Sequence, residues 1–173
     1  MGRPALLAAL AAVLATSLSP VLAQPEQIAG GNFPDVAVDS KGNIHVVYGR
    51  SGLRYRMYDA GTGTWGQEQS PGCNCTDISR SEPDIVIDSD DNPHVFCGTE
   101  YACWDGGKWV KSAPGVTRDT ELGIDGDDNV YLLRRGGLNG GYLGVLKRAP
   151  GSSTWQKLPD PDAASPGRND HVY

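Results

Sequence analysis

The segment FPDVAVDSKGNIHVVY, residues 33–48, recurs as EPDIVIDSDDNPHVFC at residues 82–97. A third copy, TELGIDGDDNVYLL, covers residues 120–133. Later in each unit comes a tryptophan at a regular spacing of 44 and 46 residues: Trp65, Trp109 and Trp155. A repeat of this length is typical of a four-stranded β-sheet, so the sequence predicts an array of such sheets.

Each copy reads as two strands joined by a tight turn. A β-branched run is followed by a short Asp/Gly/Asn cluster, which predicts a hairpin. In the first unit we predict strands at residues 36–38, 44–48 and 53–58, and a fourth strand that begins at Trp65. The matching strands are residues 85–87, 95–97, 101–104 and from Trp109, then residues 122–124, 130–133, 142–147 and from Trp155. Helical periodicity is missing after residue 23, so the fold class is all-β.

Small sheets that are apolar on both faces pack between neighbouring sheets. The predicted fold is therefore a β-propeller of four-stranded antiparallel blades, at about residues 33–70, 82–112 and 119–160. A fourth blade starts at residue 168 and stops inside its first strand. We expect an incomplete propeller, whose ring is closed by the remaining blades of a longer chain or by homo-oligomerisation.

The first 23 residues have the features of a signal peptide: Arg3, an apolar run from Leu6 to Leu14, and small residues ending at Ala23. Residues 24–32 then form a linker. Cleavage predicts a secreted or periplasmic protein without a membrane span. The net charge of −6 argues against a nucleic-acid partner, because such proteins need a basic surface.

Export allows disulfides to persist. Cys97 and Cys103 flank a short turn between two predicted strands, and we predict a disulfide between them. Cys73 and Cys75 would then pair elsewhere. The four cysteines lack the paired CxxC spacing of a zinc site, so no metal centre is expected.

Two turns before the tryptophans resemble the Asp box, S-x-D-x-G-x-T-W. These are DAGTGTW at residues 59–65, with one extra residue, and DGGKW at residues 105–109, with one fewer. The third unit has APGSSTW at residues 149–155, without an aspartate. On these turns and the repeats, residues 33–173 resemble secreted bacterial β-propellers, particularly the sialidase-like propellers and the propeller-type polysaccharide lyases and lectins. In that group the boxes are structural turns, and ligands usually bind at the opposite end of the blades.

Most arginines of the exported chain fall at this opposite end, in loops or just before a first strand. Arginine pairs with carboxylates and sulfates through its planar fork, so we predict a site for an anionic glycan here. The predicted residues are Arg50, Arg80, Arg118, Arg134, Arg135 and Arg168. The alternative is that these arginines form surface ion pairs with neighbouring acids.

His45 and His94 share one position in two copies, which we interpret as packing rather than as a general base. The segments 88–92 and 125–129 resemble calcium loops, but a hairpin needs the same residues for its backbone angles. No cofactor is therefore expected, and no catalytic residue is identified. Calcium at these turns is the alternative.

The sequence thus predicts a secreted propeller module that binds a polysaccharide or glycoconjugate. One alternative is the front part of a carbohydrate-active enzyme, a sialidase-like glycoside hydrolase or a polysaccharide lyase. The second alternative is a structural or protein-interaction propeller.

Overall fold

The computed structural model describes residues 27–75, 82–116, 120–134 and 144–159. These residues form three antiparallel sheets of four strands each and contain no helix. The first sheet consists of β1 (Asn32–Val38), β2 (Ile44–Gly49), β3 (Leu53–Asp59) and β4 (Thr64–Trp65). The middle sheet consists of β5 (Asp84–Ile87), β6 (Pro93–Cys97), β7 (Glu100–Trp104) and β8 (Trp109–Ser112). The third sheet consists of β9 (Thr120–Ile124), β10 (Val130–Arg134), β11 (Gly144–Arg148) and β12 (Gln156–Lys157).

The prediction of an all-β chain with four-stranded antiparallel units is confirmed. Every predicted strand has a counterpart, and in each sheet the strands pair in chain order. The predicted signal peptide and the fourth repeat from residue 168 lie outside the described residues. No helix with the length and apolar character that a bilayer crossing requires occurs in the described part of the chain.

The short acidic turns explain why each copy forms a hairpin. Asp39 Oδ1 accepts hydrogen bonds from the backbone N–H groups of Lys41 and Asn43, at 2.9 and 2.8 Å. The same bonds recur at Asp88 and Asp125. Burial opposes ionisation of Asp125, but bonds from Asn129 and Tyr131 outweigh it and lower its pKa to about 2. The carboxylates therefore hold the turns in their ionised form.

The sheets are stacked face to face. We call the face of each sheet that points to the next sheet its forward face, and the opposite face its rear face. Between the first and middle sheets lies the first interface, with a core that includes Val47, Tyr55, Val95 and Ala102. Between the middle and third sheets lies the second interface, with a core that includes Phe96, Tyr101, Val130 and Leu132. Because side chains alternate along a strand, the middle sheet contributes Val95 to one core and Phe96 to the other.

The predicted disulfide between Cys97 and Cys103 is wrong. Cys97 is bonded to Cys75, with the two Cα atoms 5.5 Å apart, and Cys73 and Cys103 are free thiols. The cross-strand neighbour of Cys97 is Glu100, whereas Cys103 lies opposite His94. Cys97 contributes to the core of the first interface and Cys103 to that of the second. The two side chains are therefore on opposite faces of one sheet and cannot meet.

Candidate functional site

A cleft of about 400 Å³ opens between the first and middle sheets, at the end of the molecule where β2 turns into β3. A neighbouring hollow of about 440 Å³ adjoins it, and Ser51 lines both. The cleft is lined mainly by polar groups from Ser51, Arg54, Ser70, Asn74, Glu100 and Lys111. The hollow is lined by Gly30, Gly31, Asn32, Gly49, Arg50 and Ser51.

A tight turn lines both the cleft and the hollow. The backbone N–H of Arg50 donates to the carbonyl of Gly52 at 2.8 Å. Ser51 and Gly52 both have positive φ, 51° and 109°. At Gly52 a Cβ would lie 3.3 Å from the carbonyl oxygen of Cys73, so the turn and the opposite wall approach closely. A non-glycine residue in the left-handed region costs free energy. Ser51 is in this region and lines both the cleft and the hollow.

The opposite wall of the cleft is the segment 69–75, which we call the wall segment. On its first-sheet side, Leu53 donates its N–H to Cys73, and Tyr55 exchanges two backbone hydrogen bonds with Gln69. The side chain of Trp109, in the middle sheet, donates to Gln69 at 3.0 Å.

Three further links join the wall segment to the middle sheet. Lys111 Nζ donates to the carbonyl of Gly72 at 2.9 Å, the N–H of Asn74 donates to the carboxylate of Glu100, and Cys75 is bonded to Cys97. With both sides tied, this wall keeps its shape before any ligand arrives, which reduces the ordering cost of binding.

Three cations surround the cleft and the hollow: Arg50, Arg54 and Lys111. Arg50 and Arg54 each approach the carboxylate of Glu68 at 3.7 Å, a distance too long for a hydrogen bond. Glu68 instead accepts a hydrogen bond of 2.6 Å from the hydroxyl of Tyr48. Burial together with this bond raises the pKa of Tyr48 to about 12, so Tyr48 remains a donor.

The guanidinium of Arg54 retains unused hydrogen-bonding capacity. Its Nε is shielded from solvent and has no hydrogen-bond partner. The same Nε is 3.7 Å from the carboxylate of Glu68, and the planar fork of a guanidinium pairs readily with a carboxylate or sulfate. Lys111 is partly neutralised by Glu100, whose carboxylate is 3.5 Å from Nζ. The cleft therefore combines positive charge with at least one donor that lacks an acceptor.

Of the six arginines predicted to bind a ligand, the structure places Arg50 at the hollow. Arg134 is the last residue of β10, opposite Thr120 and Gly144. The other four, Arg80, Arg118, Arg135 and Arg168, lie outside the described residues. The sequence reasoning missed Arg54 and Lys111. The alternation of charged and aromatic residues in LRYRMY, residues 53–58, could have indicated Arg54, but no local signal places Lys111 beside the wall segment.

The recurring histidines lie inside the interfaces, away from the cleft. His45 bridges Asp39 and the hydroxyl of Tyr55, at 3.2 and 2.7 Å, and is 2% exposed. His94 bridges Asp88 and Tyr101 in the same way. Burial lowers the pKa of His94, which is consistent with a neutral ring in this environment. These contacts support the interpretation that the histidines serve packing.

The acidic turns use their carboxylates within the chain. In the ranges that the structure describes, no group of three or more His, Cys, Asp or Glu side chains is arranged to hold a metal ion. Calcium binding at these turns stays the alternative to the prediction of no cofactor.

Comparison of the sequence with known protein families gives no match, and comparison with curated proteins gives none either. Among solved structures, a fungal alcohol oxidase of the AA5 family in complex with copper has a TM-score of 0.51 at 17% identity, over 74% of this chain and 30% of its own. An ulvan lyase of polysaccharide lyase family PL25 has a TM-score of 0.50 at 12% identity, over 74% of this chain and 42% of its own.

A fucose lectin from Kordia zhangzhouensis, in complex with methyl-fucoside, has a TM-score of 0.43 at 17% identity, over 72% of this chain and 96% of its own. The chain spans less than half the length of the alcohol oxidase and of the lyase. At these identities, the likeness to those two proteins shows that the chain shares their fold and shows nothing of its activity.

Proposed function

We propose that this chain is a carbohydrate-binding module and that its ligand is an anionic saccharide held in the cleft between the first and middle sheets. The observation that carries the proposal is the guanidinium of Arg54, which lines the cleft and approaches Glu68 only at 3.7 Å. Arg50 and Lys111 add positive charge beside it, although the chain as a whole is acidic. A carboxylate or sulfate is the acceptor that fits a guanidinium fork best.

The shape of the site also supports a saccharide. The cleft is open and shallow, its lining offers hydroxyl and amide groups from Ser51, Ser70 and Asn74, and the wall segment is held from both sides. The ulvan lyase with a similar fold is known in complex with a GlcA(1-4)Rha3S saccharide, which carries both a carboxylate and a sulfate. That likeness supports the ligand class, while the charge of the cleft is the independent argument.

We also propose a finer architecture for the chain. The three sheets are blades of a β-propeller, in which β1, β5 and β9 are the inner strands. In support, β1 lies beside β5 and β5 lies beside β9. The leader of residues 1–23 directs export, and the disulfide between Cys75 and Cys97 fits an oxidising compartment. Arg80, Arg118, Arg134, Arg135 and Arg168 are proposed as further contacts at the same end.

The test is titration calorimetry of the exported full chain with a sulfated uronic-acid oligosaccharide and with its desulfated, carboxyl-reduced form. We expect binding to the anionic form alone. Arg54→Gln removes a charge-assisted hydrogen bond of about 1.5–3 kcal/mol, so affinity should fall about tenfold or more. Lys108→Gln is the matched control, because Lys108 lies in the turn between β7 and β8 at the other end of the sheet.

The outcomes separate the candidate functions. The proposal is supported if Arg54→Gln weakens saccharide binding and Lys108→Gln leaves it unchanged. Equal binding of both saccharides, or equal effects of both substitutions, contradicts it. Shortened saccharide products after incubation would show an enzyme instead, and the absence of binding and of products would favour a structural or protein-interaction role.

A further inference from the structure

Both interfaces are fastened by the same pair of residues at the acidic turns. The N–H and hydroxyl of Ser40 donate to the carboxylate of Asp91 at 2.8 and 3.0 Å. Ser89 makes the same two bonds to Asp128. In each case the serine belongs to one sheet and the aspartate to the next, and we call this pair the Ser–Asp clasp. It is a link between sheets that the repeat encodes.

A second recurring bond joins the inner strands. The carboxylate of Asp35 on β1 accepts the N–H of Ile85 on β5, at 3.0 Å. The carboxylate of Asp84 on β5 accepts the N–H of Leu122 on β9. By repeat position, Glu121 is the next carboxylate in this series and the N–H of Val36 is the preceding donor. The third sheet therefore carries an acceptor at its forward face, and the first sheet carries the matching donor position.

At the forward face of the third sheet and the rear face of the first sheet, glycines replace both residues of the clasp. Gly126 stands where Ser40 and Ser89 stand, and Gly42 stands where Asp91 and Asp128 stand. Gly42 has a φ of 82°, close to the 65° of Asp91, so the backbone of the turn is the same. A contact between the forward face of the third sheet and the rear face of the first would therefore contain no Ser–Asp clasp.

The same two faces expose apolar residues that are covered elsewhere. Val36 and Val38 are 58% and 61% exposed, whereas Ile85, at the position of Val36, is 4% exposed. Leu133 is 40% exposed, whereas Phe96 at the same position is 1% exposed. In the described part of the chain neither face meets another sheet. Exposed apolar patches of this kind mark contact surfaces.

We propose that the rear face of the first sheet binds the forward face of the third sheet of a second copy of this chain, head to tail. A second copy is the occupant that supplies both halves of the match: the Glu121 carboxylate for the N–H of Val36, and Leu133 for the exposed valines. This contact is heterologous, so it closes a ring of copies or extends into a filament.

Sedimentation analysis of the exported full chain tests the contact. We expect a mass that is a multiple of the monomer, whereas a monomer at all concentrations overturns the proposal, as does a complex formed only with a different protein. Val38→Lys and Leu133→Glu should each give monomers, because each damages one half of the contact at an exposed position. Val110→Lys is the matched control, since Val110 is 39% exposed on β8 and lies outside both faces.

Mixing the two monomeric variants distinguishes a head-to-tail contact from a symmetric one. The Val38→Lys chain keeps an intact third sheet and the Leu133→Glu chain keeps an intact first sheet, so the mixture should associate. Failure of the mixture to associate overturns the head-to-tail geometry. Association of either variant alone contradicts the location proposed for the contact. Circular dichroism of each variant confirms that its sheets are formed. Saccharide titration of the monomeric Val38→Lys chain measures binding in the absence of this contact, so the two proposals can fail separately.

Discussion

The two interfaces between sheets share their repeated parts and differ in everything else. Each has a Ser–Asp clasp, an Asp–His–Tyr series, and a tryptophan edge-on to the tyrosine at 5.1 Å: Trp109 to Tyr55 and Trp155 to Tyr101. Among the described residues, only the first has a disulfide and a tied wall segment. The repeat therefore specifies how sheets stack, and the residues between repeats specify the local site.

The second interface buries a guanidinium instead. Arg148 is 9% exposed, stacks on the ring of Tyr101 at 5.2 Å, and donates to its hydroxyl at 3.2 Å. Its Nε has no hydrogen-bond partner. Burial of the His94 ring is the main cause of its lowered pKa, and the positive charge of Arg148 acts in the same direction. This interface is held by packing and polar contacts, without a covalent bond.

Removal of the disulfide should have the largest effect. The bond closes a loop between residues 22 apart in sequence, and the chain entropy of such a loop is about 3 kcal/mol. We expect the variant with both Cys75→Ala and Cys97→Ala to lose about this much free energy of unfolding in urea, and to bind saccharide more weakly. Cys103→Ala, at the second interface, breaks no covalent bond and serves as the control. Equal losses of unfolding free energy in the double cysteine variant and in Cys103→Ala would contradict a special role for the first interface.

A pH dependence should arise at Asp84, which links the inner strands of both interfaces. Burial, reinforced by the side chain of Asp35 and the charge of Glu121, raises the pKa of Asp84 to about 7. The folded state then binds a proton that the unfolded state releases above pH 3.8, so Asp84 costs stability increasingly as the pH rises from about 4 to 7.

Asp84→Asn keeps a carbonyl for the N–H of Leu122 and a donor for Asp35, but has no charge. One pKa unit corresponds to about 1.4 kcal/mol, and partial solvent screening reduces the expected gain to about 2 kcal/mol at pH 8. The stability advantage of Asp84→Asn over the unsubstituted chain should shrink as the pH falls and vanish near pH 4. Urea unfolding of both proteins at several pH values measures it, and a constant difference across that range would disprove the proton linkage.

The smallest effects are expected at the clasps. Ser40→Ala and Ser89→Ala should each cost about 1 kcal/mol, because each removes one hydrogen bond to a carboxylate at an exposed turn. Since they lie at different interfaces and share no residue, the two losses should add in the double variant. Ser153→Ala, in the exposed turn before β12, is the control in thermal unfolding. A loss in the double variant that differs from the sum of the two single losses would contradict two independent clasps.

Much of the fold could be predicted because its determinants are close in sequence. The turn at Asp39 is made by bonds to residues two and four positions later, and the strands on each side alternate apolar residues. The packing interpretation of His45 was also accessible, because its recurrence at His94 indicated a repeated structural contact. These signals need no knowledge of how the sheets are placed.

The candidate site was accessible only in part. Arg50 follows a predicted strand, so its place in a loop could be read from the sequence. Arg54 and Lys111 become neighbours of one cleft only because the wall segment crosses from the first sheet to the middle sheet. The disulfide failed for a related reason: proximity along a hairpin suggested Cys103, but the face of the sheet decides which cysteine Cys97 can reach.

The amino-acid order by itself determined the hairpins and the strand count in each unit, because hydrogen bonds within a turn depend on residues only a few positions apart. Tertiary structure alone decided the partner of Cys97, the cations that share the cleft and the faces left without a neighbour. These depend on which sides of the sheets oppose each other, and that choice is made by the burial of apolar groups from distant parts of the chain.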